Sequence, residues 1–416
     1  MMRKLLYSFL FFISSKSLSK KSCTPSLGLL CVGMFFVVSF AYADTYYSRT
    51  SGNANNRNNW GINTNGTGAA PANFANAGDV FIIRNGNAMT TNGSWTVAGA
   101  LTINSGGSLA ISNTTILGSF NINNGGTASI QNDFTVTTAT NITGTISFGS
   151  ANTTSRTITF TGSVTLNSGA VWNETTSGAA ASFSFGNDFT NNATTFNAQN
   201  PTHSFTGVNR VLNGNTTTTI SNVSITGSYA NNINILTVSS ALSGSGTLTN
   251  SSGKLINIGG TSTIANLVAT AAGNSVNYNG SGNQNIKTTD YHNLTISGSG
   301  SKTAVGSLTV SNNFTLSSAT FVANNATSFT HSFGNYIQNS GVFDFNAGTS
   351  GVSNVNISGN FTNTAGASSI TTVGFVQNGI FNFNGSAVQT LNMPTDAAAI
   401  WVKYNVYAGT TLKLAS

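Results

Sequence analysis

From residue 95 onward the chain is built of triplets that place two core-facing apolar residues around one outward residue, among them Leu101-Thr-Ile103, Leu109-Ala-Ile111, Phe120-Asn-Ile122 and Phe134-Thr-Val136. A period of two sends alternate side chains to opposite faces, so each triplet specifies a short strand with one buried side. Asn- and Gly-rich steps such as 104–107 and 123–126 separate the triplets. Those residues tolerate φ > 0, which sharp turns require. Long helices have little to draw on. Charged residues make up only 6% of the 416, against about 25% in an ordinary domain, so the Glu, Lys and Arg that favour helices are scarce. Disorder is excluded by a hydrophobic content of 39% with only four Pro. The expected class is all-β, with a single helical turn at 397–399.

The net charge of +7 comes mostly from the first residues. Arg3, Lys4, Lys16, Lys20 and Lys21 precede or separate two apolar runs, 5–13 and 27–40, while all eight acids lie beyond them. The remaining ten bases and eight acids nearly cancel, so no nucleic-acid footprint is expected. Ala41-Tyr42-Ala43 is a small–x–small cleavage site. The expectation is a signal peptide over 1–43, cleaved between Ala43 and Asp44. The second run is about 14 residues, short of the ~20 that span a bilayer; membrane contact is therefore expected only through the leader during export. Both cysteines, Cys23 and Cys31, fall in the leader, which leaves the mature chain without a disulfide.

Two elements recur. The first, [GN]-[ND]-[FY]-[TI], occurs at 132–135, 187–190, 312–315, 334–337 and 359–362. The second runs from an aromatic-x-Gly to a later Asn: Tyr278-Asn-Gly280 through Gln284 to Asn293, and Phe383-Asn-Gly385 through Gln389 to Asn405. A third copy begins at Phe205-Thr-Gly207 and reaches Asn222 without the Gln. Constant ends with variable spacing describe fixed strands and elastic loops, as a solenoid permits. The segment 44–95, with Trp60 and Trp95, differs and is expected to cap the first coil. Residues 96–416 then form solenoid repeats that end incompletely. The alternative, a string of sandwich domains, needs linkers and a period near ~100 residues; neither is present. The expected fold is a right-handed parallel β-helix of roughly 15 coils of ~20 residues.

The opening 45–60, the stretch 78–87 and Leu101 to Ile111, together with the aromatic-x-Gly…Gln…Asn units, resemble secreted β-solenoid surface proteins of the Bacteroidota. That resemblance implies a cell-surface adhesin or matrix component. Such proteins often carry a C-terminal sorting domain, and this sequence ends at Ser416 without one.

β-Helices also host polysaccharide lyases and hydrolases, which need carboxylates held about 5–9.5 Å apart. The acids are Asp44, Asp79, Asp133, Glu174, Asp188, Asp290, Asp344 and Asp396. Glu174 and Asp188 are the one pair whose spacing approaches a coil, and they are otherwise two solvated turn residues. Asp133 and Asp188, in identical units, are expected about three coils apart. His203 and His331 occupy matching repeat positions, which favours a structural role; with His292 they lack the spacing of a metal site. No catalytic residue, metal or cofactor is expected. Threonines at 135–138, 157–161 and 216–219 would make hydroxyl-bearing faces. The expected function is an extracellular or cell-surface structural or adhesive solenoid. Its Asn/Thr/Ser-rich face would meet carbohydrate, matrix or other solenoids. A polysaccharide-active enzyme and an ice-binding protein are the alternatives.

Overall fold

A computed structural model describes residues 43–149, 155–174, 181–199, 201–324, 327–345, 353–372, 379–393 and 402–415. Residues 1–42 of the expected leader and the expected helical turn at 397–399 lie outside these. The described residues form an all-β solenoid of about 15 turns built from parallel sheets, with no α-helix among them.

Each coil has three faces. One coil, for example, is Phe134–Val136, Thr140–Ile142 and Thr145–Phe148; the next continues as Arg156–Phe160, Val164–Leu166 and Val171–Glu174. We call these the first, second and third faces. Every strand of these coils pairs in parallel with its counterpart one coil on, so identical positions stack. Val97, Leu117, Val136, Phe160, Phe185, Phe205 and Ile225 form one continuous inward column, all buried. Its Phe160–Phe185 and Phe185–Phe205 rings stack at 5.5 and 5.0 Å. Coil length varies from 18 residues, Thr127 to Thr145, to 37, Gly52 to Met89. The strands keep register because the loops absorb the difference.

The glycine turns are as the composition predicts. Gly106 and Gly125 sit at φ 72° and 77°, and Gly106 donates to Gly125 O at 3.0 Å in the next coil. At another corner a Cβ on Gly162 would sit 0.9 Å from Thr138 O, which no side chain survives.

Parallel pairing already runs through the 44–95 segment. Thr45–Ser48 pairs with Val80–Ile83, which pairs with residues 100–103. The other edge of Thr45–Ser48 is covered by Trp60–Gly61, which runs antiparallel to it. Trp60 is fully buried against Phe81 and Trp95 and donates to Ala54 O at 2.8 Å. An outermost strand otherwise presents unpaired backbone groups.

Both repeats mark corners, and neither marks a coil. The Phe of the first repeat enters the first face at Phe134, the second face at Phe189 and the third at Phe314, Tyr336 and Phe361. All are buried. Only the last three stack on one another, at 5.8 and 4.6 Å between ring centres. The same short sequence therefore serves all three corners.

The second repeat has one chemical job. Gln284 donates to Ile258 O (2.9 Å) and Gly260 O (2.6 Å) of the preceding coil and accepts from Gly280 N (2.9 Å). Gln389 makes the same bonds to Ile357 O, Gly359 O and Gly385 N. In the copy lacking Gln, Tyr229 of the following coil substitutes. Its hydroxyl accepts from Gly207 N (3.2 Å) and donates to Phe185 O (2.9 Å), with Asn187 O at 3.1 Å. Lys302, stacked on Gln284, donates to Gly280 O, Gly282 O and Ser299 O at 2.6–2.9 Å. Backbone carbonyls that turn inward at a corner must be paired, and these polar side chains pair them.

Candidate functional site

The outward residues of the first face fall into registered columns. One runs Thr135, Thr159, Ser184, Ser204, Ser224 and Ser243, six hydroxyls on successive coils. Beside it lie Thr157, Ser182, Thr202 and Asn222. Successive coils are spaced at ~4.8 Å. Of the threonines expected to form such faces, Thr135, Thr157 and Thr159 do so. Thr218 is instead buried, accepting from Asn191 Nδ2 at 3.0 Å.

Amide ladders occupy other columns. Asn141 Nδ2 donates to Asn121 Oδ1 (3.1 Å), Asn277 to Asn257 (3.2 Å), Asn382 to Asn356 and Asn405 to Asn382 (both 3.0 Å). One ladder is internal, from Asn231 Nδ2 to Asn250 Oδ1 at 3.0 Å. In each of these pairs one Asn donates to the Asn of a neighbouring coil.

Farther along the first face the surface becomes concave. A groove of about 450 Å³ is lined by Thr261, Thr263, Asn285, Lys287, Thr303 and Val305 among others. Asn285 and Thr303 are registered neighbours on adjacent coils. The backbone of Lys287 is fixed from inside. Tyr278 Oη accepts from Lys287 N (2.9 Å) and Tyr291 Oη donates to Lys287 O (2.5 Å), the two hydroxyls being 3.3 Å apart. Burial raises the pKa of both phenols, most for Tyr291, so both stay protonated hydrogen-bond partners. Lys287 is the single charged residue of the lining. Sequence patterns did not single out this groove. It depends on where three coils recede, which no local motif encodes.

The acids fall elsewhere than expected. Glu174 is not a solvated turn residue. It is buried, 2.7 Å from Trp172 Nε1 and 2.9 Å from His203 Nε2. Asp188 is not its neighbour, because coils here run to 24–26 residues and a gap of 14 covers only part of a coil. Asp133 and Asp188 lie two coils apart at different corners, not three coils apart in one stack. Each does bond backbone, as a turn Asp should, but in the next coil: Asp133 accepts from Thr157 N (2.8 Å) and Asp188 from Val211 N (3.0 Å). Asp396 lies outside the described residues.

His203 and His331 are both buried. His331 Nδ1 accepts from Leu308 N (3.2 Å) and Nε2 donates to Ala323 O (2.6 Å), which defines a neutral ring. Burial lowers its pKa to about 4. His203 stacks on Phe183 at 5.0 Å. Among the described residues no group of three or more His, Cys, Asp or Glu is placed to hold a metal ion.

No family model, curated protein or solved structure matches the chain. The solenoid rests on its own coil geometry.

Proposed function

We propose that the protein is an extracellular or cell-surface structural and adhesive β-solenoid that binds neutral or acidic glycans along its first face. The adhesin-like proteins of the Bacteroidota, which its repeats resemble, are the model for this role. The observation that carries the proposal is the registered column of hydroxyls leading along the same face as the groove at Asn285 and Lys287. A polysaccharide repeats its hydroxyls along its length, and a solenoid repeats donors and acceptors at coil spacing. The scarcity of charge suits a ligand recognised through hydrogen bonds. Lys287 adds one cation for a uronate or sulfate group.

Incubation of the secreted chain with a panel of neutral and uronate-containing glycans tests this. Binding without new reducing ends is the expected result, with affinity reduced about tenfold by Asn285→Ala combined with Lys287→Met. Absence of binding to every glycan would refute the proposal. Turnover of any of these glycans would put the enzyme alternative first. The same hydroxyl column favours a second reading, ice binding. Thermal hysteresis in the absence of glycan binding would support that instead.

A further inference from the structure

The first coil buries a carboxylate with no cation against it among the described residues. Asp79 is 5% exposed. Its Oδ1 accepts from Asp44 N at 3.0 Å and from Asn76 Nδ2 at 2.7 Å. Among the described residues the one ion pair is His203–Glu174, so no Lys, Arg or His of theirs neutralises Asp79. The surroundings add negative charge. The Asp44 side chain lies beside Tyr46 Oη at 3.4 Å, and the Tyr46 phenol is pushed up by burial and by both carboxylates. Asp44 is also clamped through its other backbone group, since Val80 N donates to Asp44 O at 2.9 Å. Ala43, one residue earlier, is exposed.

We propose that hydrolysis of the Ala43–Asp44 bond completes this corner, because the new α-ammonium of Asp44 forms a buried ion pair with Asp79. Water adds across the amide, its hydroxyl to the Ala43 carbonyl carbon and its proton to the Asp44 nitrogen. The new carboxyl then loses a proton and the amine gains one. An exported peptidase that recognises small–x–small supplies the catalysis. A hydrogen bond from a neutral amide thereby becomes a charge-assisted one, shorter and about twice as strong. The buried carboxylate also acquires the counter-charge that burial demands. Removal of the leader therefore does more than release the chain. It stabilises the strand Thr45–Ser48, the outermost parallel rung of the described solenoid.

The test uses the secreted protein, expressed with its leader. N-terminal sequencing should give Asp44. At about pH 7.5 an unperturbed α-amine titrates near ~8, and each unit of increase cuts its free-base fraction about tenfold. The α-amine of the folded protein should therefore react with an amine-selective ester about tenfold more slowly than that of Asp79→Asn. A start at any other residue, or equal rates in two folded proteins, overturns the proposal. If circular dichroism shows that Asp79→Asn is unfolded, the comparison moves to a chain that retains Ala43. That chain keeps Asp79 but moves the charge away, and it should melt several degrees lower. Equal melting would overturn the proposal. None of these outcomes depends on glycan binding.

Discussion

Replacing Gln284 by Ala removes the polar cap of one corner without disturbing the strands beside it. The side chain is 5% exposed and makes three bonds, two donated to Ile258 O and Gly260 O and one accepted from Gly280 N. Each intramolecular hydrogen bond contributes about 1 kcal/mol net, and each buried partner left unpaired costs about 1–3. Water entering the gap re-satisfies part of this, so the expected loss is about 3 kcal/mol. The glutamate variant separates the two halves of the interaction. It keeps the acceptor for Gly280 N but turns a carboxylate toward two carbonyl oxygens, so Gln284→Glu should lose at least as much at pH 7. It should recover part of that loss at a pH below about 4, where the protonated acid can donate again. Urea unfolding reads the global effect, and hydrogen exchange at the Gly280 amide reads the local one. About 3 kcal/mol corresponds to exchange faster by roughly a hundredfold. A loss under about 0.5 kcal/mol, with unchanged Gly280 exchange, would mean that these carbonyls reach water and that the repeated Gln has no capping role.

Phe189→Ala should cost about 3–5 kcal/mol in the same unfolding assay, because the ring is 1% exposed and packs edge-on against Phe185 at 5.2 Å; below about 1 kcal/mol the ring would have to be on the surface. Glu174→Ala should cost about 3–5 kcal/mol by stranding Trp172 Nε1 and the His203 ring inside, and Glu174→Gln less, since an acceptor remains. The depressed pKa of His331 makes the folded state prefer the neutral ring. Its stability contribution is therefore full above about pH 6.5 and is lost as the pH falls toward about 4, on the order of 3 kcal/mol in total. Urea midpoints of His331→Gln and the parent should converge over that window; parallel pH profiles would contradict it.

Much of the architecture can be read from the residues because it is local. Period-two triplets can only be short strands with one buried side, and Gly at positions such as Gly106 and Gly125 marks the turns. Variable gaps between constant ends distinguish a solenoid from separate domains. The aromatic of each recurring unit is buried wherever that unit occurs, from Phe134 to Phe361.

The residues in order thus specify the strand, the corner and their alternation. Which corner each unit occupies, and what lies one coil above it, is settled by packing in three dimensions. Asp133 and Asp188 carry identical neighbours yet sit at different corners, because insertions lengthen a coil without disturbing its register. Glu174 finds His203 across 29 residues, and Tyr229 replaces a missing Gln from the next coil. The groove at Asn285 and Lys287 has no motif of its own. Strand formation depends on neighbours along the chain, whereas stacking depends on residues one variable coil length away. That length is set by loops whose composition says little about where they end.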